Sequence, residues 1–207
     1  MSDVHEELRR LGTATVYEAS GRKGMVDAAF EQVIPGSRAA GPARTVRCGQ
    51  ADNLMVHAVM DRVEQGDVIV LTMPEPAPVA LVGELLATQA ERRGAAALLV
   101  DAAVRDVEEL CELGLPVWAR WVRVRGADKR AVGSIDDPVE VGGAEIRPGD
   151  TVVLDADGVV VVSQERLETV LADARERVEQ EQAKRAKLSA GSLSYDLDGL
   201  RELVEGR

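Results

Sequence analysis

Aromatic side chains are almost missing from this chain: Phe, Trp and Tyr make up 2% of its 207 residues. That shortage leaves no set of stacking platforms for single-stranded nucleic acid, and it hands the core to Val, Leu, Ile and Ala. Cysteine is nearly as scarce. Cys48 and Cys111 alone do not make a disulfide framework, and a reducing compartment is the simplest reading. Only His5 and His57 are present, which disfavours a zinc site built from nitrogen and sulfur ligands. No apolar run approaches the roughly 20 residues of a membrane-spanning helix, and the polar, acidic start has no signal-peptide pattern. A cytoplasmic protein is expected. The net charge of −11 repels nucleic-acid backbones, and it obliges any anionic substrate to find local cations.

What is present reads as one α/β domain over residues 1–207, with enough chain to bury about 70% of its unfolded surface. Helices are expected at 3–11, at 52–64, from Gly83 to Arg93 and from Asp106 to Leu113, with Gly94 and Gly114 as stops. Thr15 and Glu18 have capping-box spacing, with Gly21 able to end that helix. Strands are expected at 38–48, Val68–Leu71, 95–100 and Val117–Val124, and the alternation implies a partly parallel sheet covered by helices. From Val139 to Val162 the chain turns to hairpins, marked by Gly142-Gly143, Pro148-Gly149-Asp150 and Asp157-Gly158. A long helix over 164–188 and a polar tail over 189–207 close the sequence.

Residues 83–109 carry the chemistry. Gly83-Glu84-Leu85-Leu86 stands where a loop becomes a helix, and first-turn N–H groups can hold a carboxylate. Arg105-Asp106 follows a strand, where α/β proteins place ligands. Arginine binds a carboxylate through two parallel hydrogen bonds. An adjacent aspartate can hold a metal, and one or two carboxylates completed by water suit magnesium better than zinc. The plainer reading makes Asp106 with Glu109 a helix cap and Glu84 a dipole partner. Asp101 reads either as a support for a metal site or as a strand-end residue. His57 reads as a base or, more simply, as a packed or surface helix histidine. Asp155-Ala156-Asp157-Gly158 is a hairpin turn rather than a calcium loop.

Gly83-Glu84-Leu85-Leu86 with Val104-Arg105-Asp106-Val107-Glu108-Glu109 resembles the signature of the 4-hydroxy-4-methyl-2-oxoglutarate / 4-carboxy-4-hydroxy-2-oxoadipate aldolases, whose superfamily includes the regulator of ribonuclease activity A. Ala14–Ala19, Asp52-Asn53-Leu54, Gly66-Asp67-Val68, Arg147–Asp150 and Asp155–Val161 extend the likeness along nearly the whole chain. The resemblance implies an αββα sandwich similar to a swivelling β/β/α domain, with a projecting C-terminal helix, assembled as trimers or paired trimers. It implies a divalent-metal-dependent lyase that cleaves 4-hydroxy-2-oxo acids to pyruvate and decarboxylates oxaloacetate. Asp106 would ligate Mg2+ or Mn2+ directly. Glu84 would reach the metal through water, although some family members carry Asp there. Arg105 would bind the 2-oxo acid end, Gly83, Leu85 and Leu86 would take its carboxylate, and Lys129 would meet a distal carboxylate. Water on the metal would carry the proton. A C-terminal glutamate would reach a neighbouring subunit's metal through water: Glu181, which continues the apolar stripe Leu167, Val170, Leu171, Ala174 and Val178, or else Glu179. The competing expectation is a non-catalytic regulator that binds a protein partner. Menaquinone methyl transfer finds no glycine-rich cofactor loop.

Overall fold

In a computed structural model, which describes residues 3–206, the chain opens with two helices, α1 (Asp3–Leu11) and α2 (Thr13–Ala19), and a short strand β1 (Glu31–Gln32). Then come β2 (Ala39–Arg47), α3 (Leu54–Val59), β3 (Val68–Thr72), β4 (Ala80–Val82), α4 (Glu84–Arg92), β5 (Ala97–Val104), α5 (Val107–Leu113) and β6 (Val117–Val122). The second half holds β7 (Ser134–Ile135), β8 (Val139–Val141), β9 (Ala144–Ile146), β10 (Thr151–Asp155) and β11 (Gly158–Val162). It ends in the helices α6 (Leu167–Ser189), α7 (Ser194–Leu197) and α8 (Leu200–Glu205).

The strands β2, β3, β5 and β6 form a parallel centre, connected through α3, α4 and α5. The long strand β2 makes the sheet curl. Its first half, Ala39 to Pro42, pairs antiparallel with β10, and its second half, Ala43 to Arg47, pairs parallel with β3. The β10–β11 hairpin therefore belongs to the same hydrogen-bonded sheet yet folds over its face.

Strand periodicity sorts the apolar residues into layers. Ile69 and Leu71 of β3, with Leu98 and Val100 of β5, pack under α3, α4 and α5. Their neighbours Val68, Val70, Ala97 and Leu99 face the opposite way, onto Val152 and Leu154 of β10. Val153, Val160 and Val162 point outward again, under Leu8, Val16, Val170 and Leu171 of α1, α2 and α6. Helix, sheet, sheet, helix is the αββα sandwich. Trp118 lies in the middle layer and donates its indole N–H to Asp155 O at 3.0 Å, the partner a buried indole needs.

Several local expectations are corrected. The Thr15–Glu18 capping box does not form. Helix α2 starts earlier, at Thr13, whose N–H and hydroxyl both donate to Asp155 at 2.9 and 2.5 Å. The helix over 52–64 is cut to Leu54–Val59, followed by tighter turns (Arg62 N to Val59 O, 2.8 Å) that bury Met60 and Val63. Strand β5 runs on to Val104, so Asp101 is not a strand end. It is buried in mid-strand against Arg120 of β6. Burial pushes its carboxyl above the ordinary value, against the pull of Arg120. The region 189–207 carries two short helices, and Lys184 holds Asp198 at 2.6 Å across the turn. Among the described residues no helix is long and apolar enough to cross a membrane.

Candidate active site

The bland reading of Asp106, a cap for its own helix, fails on geometry. Asp106 stands at the N-cap position of α5, but its side chain makes no hydrogen bond there. Its backbone is left-handed (φ 61°, ψ 49°), a region that costs an L residue free energy and that Asp and Asn tolerate best. The turn throws the carboxylate across to the neighbouring loop, where Oδ2 accepts the Glu84 N–H at 3.1 Å. Asp106 thus caps α4 instead. Its Oδ1 takes no hydrogen bond from the described residues, and 40% of the side chain is exposed.

Glycine makes this approach possible. A Cβ on Gly83 would stand 2.3 Å from Asp106 Oδ2 and 3.2 Å from Arg105 Cγ, and one on Gly126 would stand 2.9 Å from Arg105 Nη1. Arg105 is fixed at its backbone, with its N–H on Val82 O at 3.1 Å, while 49% of its side chain is exposed. The guanidinium lies 3.7 Å from Asp106 Oδ2 and has no other ion pair among the described residues. Opposite, the N–H groups of Leu85 and Leu86 in the first turn of α4 have no acceptor among the described residues, while Ala87 N already closes onto Gly83 O.

These groups line one cavity of about 130 Å³, which takes in Gly83, Leu85, Leu86, Arg105, Asp106 and Lys129. Lys129 comes from a loop laced onto the start of α3. Asn53 N donates to Asp128 O, and Asp52 accepts the N–H groups of Arg130 (2.6 Å) and Ala131 (3.0 Å) as well as that of Leu54. Burial of Asp52 opposes ionisation, but those three N–H groups hold its carboxyl below the ordinary value.

Glu84 is not in the cavity lining. Its carboxylate turns along α4 to accept the Thr88 hydroxyl at 2.8 Å. Glu181 lies elsewhere, on α6, paired with Arg177 at 2.9 Å, and α6 packs on α1 and α2. Glu179, the other C-terminal candidate, is an exposed residue of the same helix. The stripe read from the sequence is buried at Val170, Leu171 and Ala174 and gives out beyond them. The lining also takes in His57, read from the sequence as a base or a plain helix histidine, and Asn53, to which the sequence assigns no role. Asn53 and His57 share one face of α3, one helical turn apart, and that spacing was the available signal. Burial and the charge of Lys129 both lower the pKa of His57.

No group of three or more His, Cys, Asp or Glu among the described residues can hold a metal unaided. The acid in the cavity lining is Asp106, with one carboxylate oxygen that takes no hydrogen bond from the described residues, and no cysteine lines the cavity. Such a site fits a hard cation that keeps most of its water and does not fit a closed zinc cage.

The RraA-like family, described as Aldolase/RraA, matches residues 3–161, and this chain belongs to it. Relatives named "Putative 4-hydroxy-4-methyl-2-oxoglutarate aldolase" include one from Halalkalibacterium halodurans, 30% identical over 90% of this chain and 89% of its own length. Another, from Burkholderia mallei, is 37% identical over 81% of this chain and 96% of its own. Among solved structures, the Streptomyces coelicolor protein RraAS2, described as an unusual member of the RNase ES inhibitor RraA protein family, superposes with a TM-score of 0.79. It is 28% identical and covers 89% of this chain and 96% of its own. An uncharacterized protein from Pseudomonas syringae pv. tomato gives 0.83 at 27% identity, over 92% and 90% of the two chains.

Proposed function

We propose that this chain is a divalent-metal-dependent carbon–carbon lyase that cleaves 4-hydroxy-2-oxo acids to pyruvate and decarboxylates oxaloacetate at the same site. One observation carries the reading. A single small cavity gathers a half-exposed guanidinium whose one ion pair is with Asp106, two first-turn N–H groups with no acceptor among the described residues, a carboxylate with an open oxygen, and a second cation, Lys129. The relatives' names support the aldolase class.

The roles follow from charge and shape. The N–H groups of Leu85 and Leu86 bind the substrate's 1-carboxylate at the positive end of α4. Arg105 orients the 2-oxo group and stabilises the negative charge that develops on its oxygen as the C3–C4 bond breaks. Asp106 would hold the cation, with Mg2+ or Mn2+ the metals its oxygen donors fit and Glu84 acting through water. When bound, the metal supplies Lewis-acid stabilisation of the same enolate charge. Lys129 takes a distal carboxylate. Oxaloacetate loses CO2 through the same pyruvate enolate, so one set of groups serves both reactions.

The site is incomplete in one chain on this reading. Asp106 is the one acid that lines the cavity, Glu84 is turned along α4 towards Thr88, and Glu181 stands on a helix packed elsewhere. In a homotrimer or a dimer of trimers, Glu181 of a neighbouring copy would supply the further acid, acting on the cation through water. The test measures pyruvate released from 4-hydroxy-4-methyl-2-oxoglutarate, related 4-hydroxy-2-oxo acids and oxaloacetate, with Mg2+ and with excess chelator. Metal-dependent release from at least one substrate is expected. Metal-independent release removes the cation from the mechanism. No release from any substrate leaves the RNase-inhibitor role that the S. coelicolor neighbour's description carries.

A further inference from the structure

Retro-aldol cleavage and oxaloacetate decarboxylation need the same enolate stabilisation but differ at C4. In the aldol case the C4 hydroxyl must lose its proton as the carbonyl forms. In decarboxylation the leaving carbon is already a carboxylate, and no proton has to be taken from it. A base dedicated to C4 would therefore serve one reaction and not the other.

The wall of the cavity formed by α3 supplies such a group. Asn53 and His57 project from one face of α3, while Met55, Val56 and Val59 root its other faces in the core. The rest of the lining offers two cations, Arg105 and Lys129, and the anchored Asp106. The His57 ring makes no side-chain hydrogen bond with the described residues, so its nitrogens are available. Asn53 gives its Nδ2–H to Leu81 O at 2.9 Å, and its Oδ1 is buried with no donor. This wall is polar with few committed partners, as the seat of an alcohol should be. The Arg105 side, by contrast, suits a carboxylate and an oxo group.

We propose that His57 is the catalytic base that takes the C4 hydroxyl proton in aldol cleavage and is dispensable for decarboxylation. This rests on the lyase reading above. In the step, the C4 hydroxyl proton moves to an imidazole nitrogen and the C4 carbonyl forms. The C3–C4 bond breaks and its electron pair becomes the pyruvate enolate. Water then protonates C3, and the imidazolium returns its proton to solvent. The surroundings suit both halves of this cycle. Burial and the charge of Lys129 favour the neutral, proton-accepting ring. His57 also borders a second, more open cavity of about 410 Å³ with Thr88, Gln89 and Arg92, which gives the proton an exit to water.

The test compares two reactions in one variant. His57→Gln retains a polar side chain but no base. It should lose about 100-fold or more in kcat for 4-hydroxy-4-methyl-2-oxoglutarate cleavage, the usual contribution of a positioned base. Oxaloacetate decarboxylation should stay within a few-fold of wild type, with the melting curve unchanged. His57→Gly should regain part of its aldol activity when imidazole is added, while its decarboxylase activity, near wild type throughout, should not respond to imidazole. Equal loss of both reactions in His57→Gln, or no loss in either, overturns the assignment. Aldol loss without imidazole rescue in a folded His57→Gly overturns it as well. Wild-type protein that releases pyruvate from neither substrate removes the lyase reading and this inference together, an outcome distinct from the other three.

Discussion

Asp155 and Asp106 do the same local job at two ends of the molecule, and the difference between them separates scaffold from site. Each caps a helix that is not its own: Asp155 takes the first N–H of α2, and Asp106 takes the first N–H of α4. Asp155 is buried and spends both oxygens, on the Thr13 N–H and hydroxyl and on the Asp157 N–H. Asp106 is 40% exposed, spends one oxygen, and sits on left-handed backbone. A carboxylate that is fully satisfied is a structural fastener. One held in place by a single bond, at a backbone cost, with an oxygen to spare, is positioned for something that arrives later.

The contrast breaks most sharply at Asp106. Asp106→Asn keeps the tolerance for left-handed backbone and a capping oxygen but loses the charge. We expect kcat/KM to fall by ~10³-fold, the several kcal/mol a Lewis acid supplies, with weaker Mg2+ binding by calorimetry and a melting temperature near wild type. Wild-type metal affinity in that variant would return Asp106 to the class of Asp155. Arg105→Lys preserves charge but not the planar fork, and should cost about 2–4 kcal/mol of transition-state stabilisation, a factor of ~30 to ~900 in kcat/KM. Unchanged steady-state kinetics would take Arg105 out of the site.

Asp155→Ala should show the converse behaviour. It strands three donors, and at the lower end of ~1 kcal/mol apiece the melting temperature should fall by roughly 6–12 °C by calorimetry, with metal affinity and kcat of the folded fraction unchanged. Asp52 stands between the two, a buried fastener that seats the Lys129 loop. Its carboxyl is held below its ordinary value of 3.8, so it contributes stability that is fully present above 3.8 and is lost as pH falls through its lower folded value. Urea titrations should show Asp52→Asn less stable than wild type at neutral pH, with the gap closing in acid. A gap that widens in acid contradicts the sign of the effect. The smallest change is expected for Glu181→Gln, about tenfold in activity, as for other groups acting on a metal's outer shell. Mixing it with Asp106→Asn protomers should restore activity, because mixed assemblies contain sites with both acids intact. No gain after proven subunit exchange would remove Glu181 from the neighbour's site.

The layers were legible because apolar periodicity is a local property. Alternation along Val68–Leu71 assigns residues to two faces, and the hairpin signals at Gly142-Gly143 and Asp157-Gly158 fall where β8–β9 and β10–β11 turn. Gly83, Leu85, Leu86, Arg105 and Asp106 stood out by their place at a helix start and a strand end, with Lys129 added by a resemblance of motifs, and the fold brings all six to one cavity. Capping was misread at both ends. Thr15 and Glu18 had the right spacing, but the competing acceptor, Asp155, lies 142 residues from Thr13 and its approach depends on how the β10–β11 hairpin folds over the sheet. Asp101 was misplaced because a strand boundary is set by its neighbours, and β6 pairs with β5 as far as Val104.

The sequence by itself determined the acidic, aromatic-poor composition, most of the strands and helices, and the adjacency of Arg105 to Asp106. Those follow from residue type and short-range spacing. Only the tertiary structure decided which way Asp106 faces, since its left-handed turn is held by a bond to Glu84, 22 residues away. It also decided that Asn53 and His57 share a wall with Lys129, because Asp52 ties two distant loops together. It set Glu181 on a helix packed against α1 and α2, away from the cavity of its own chain. Long-range closure depends on the whole packed sheet, and no local pattern encodes which backbone N–H a free carboxylate will meet.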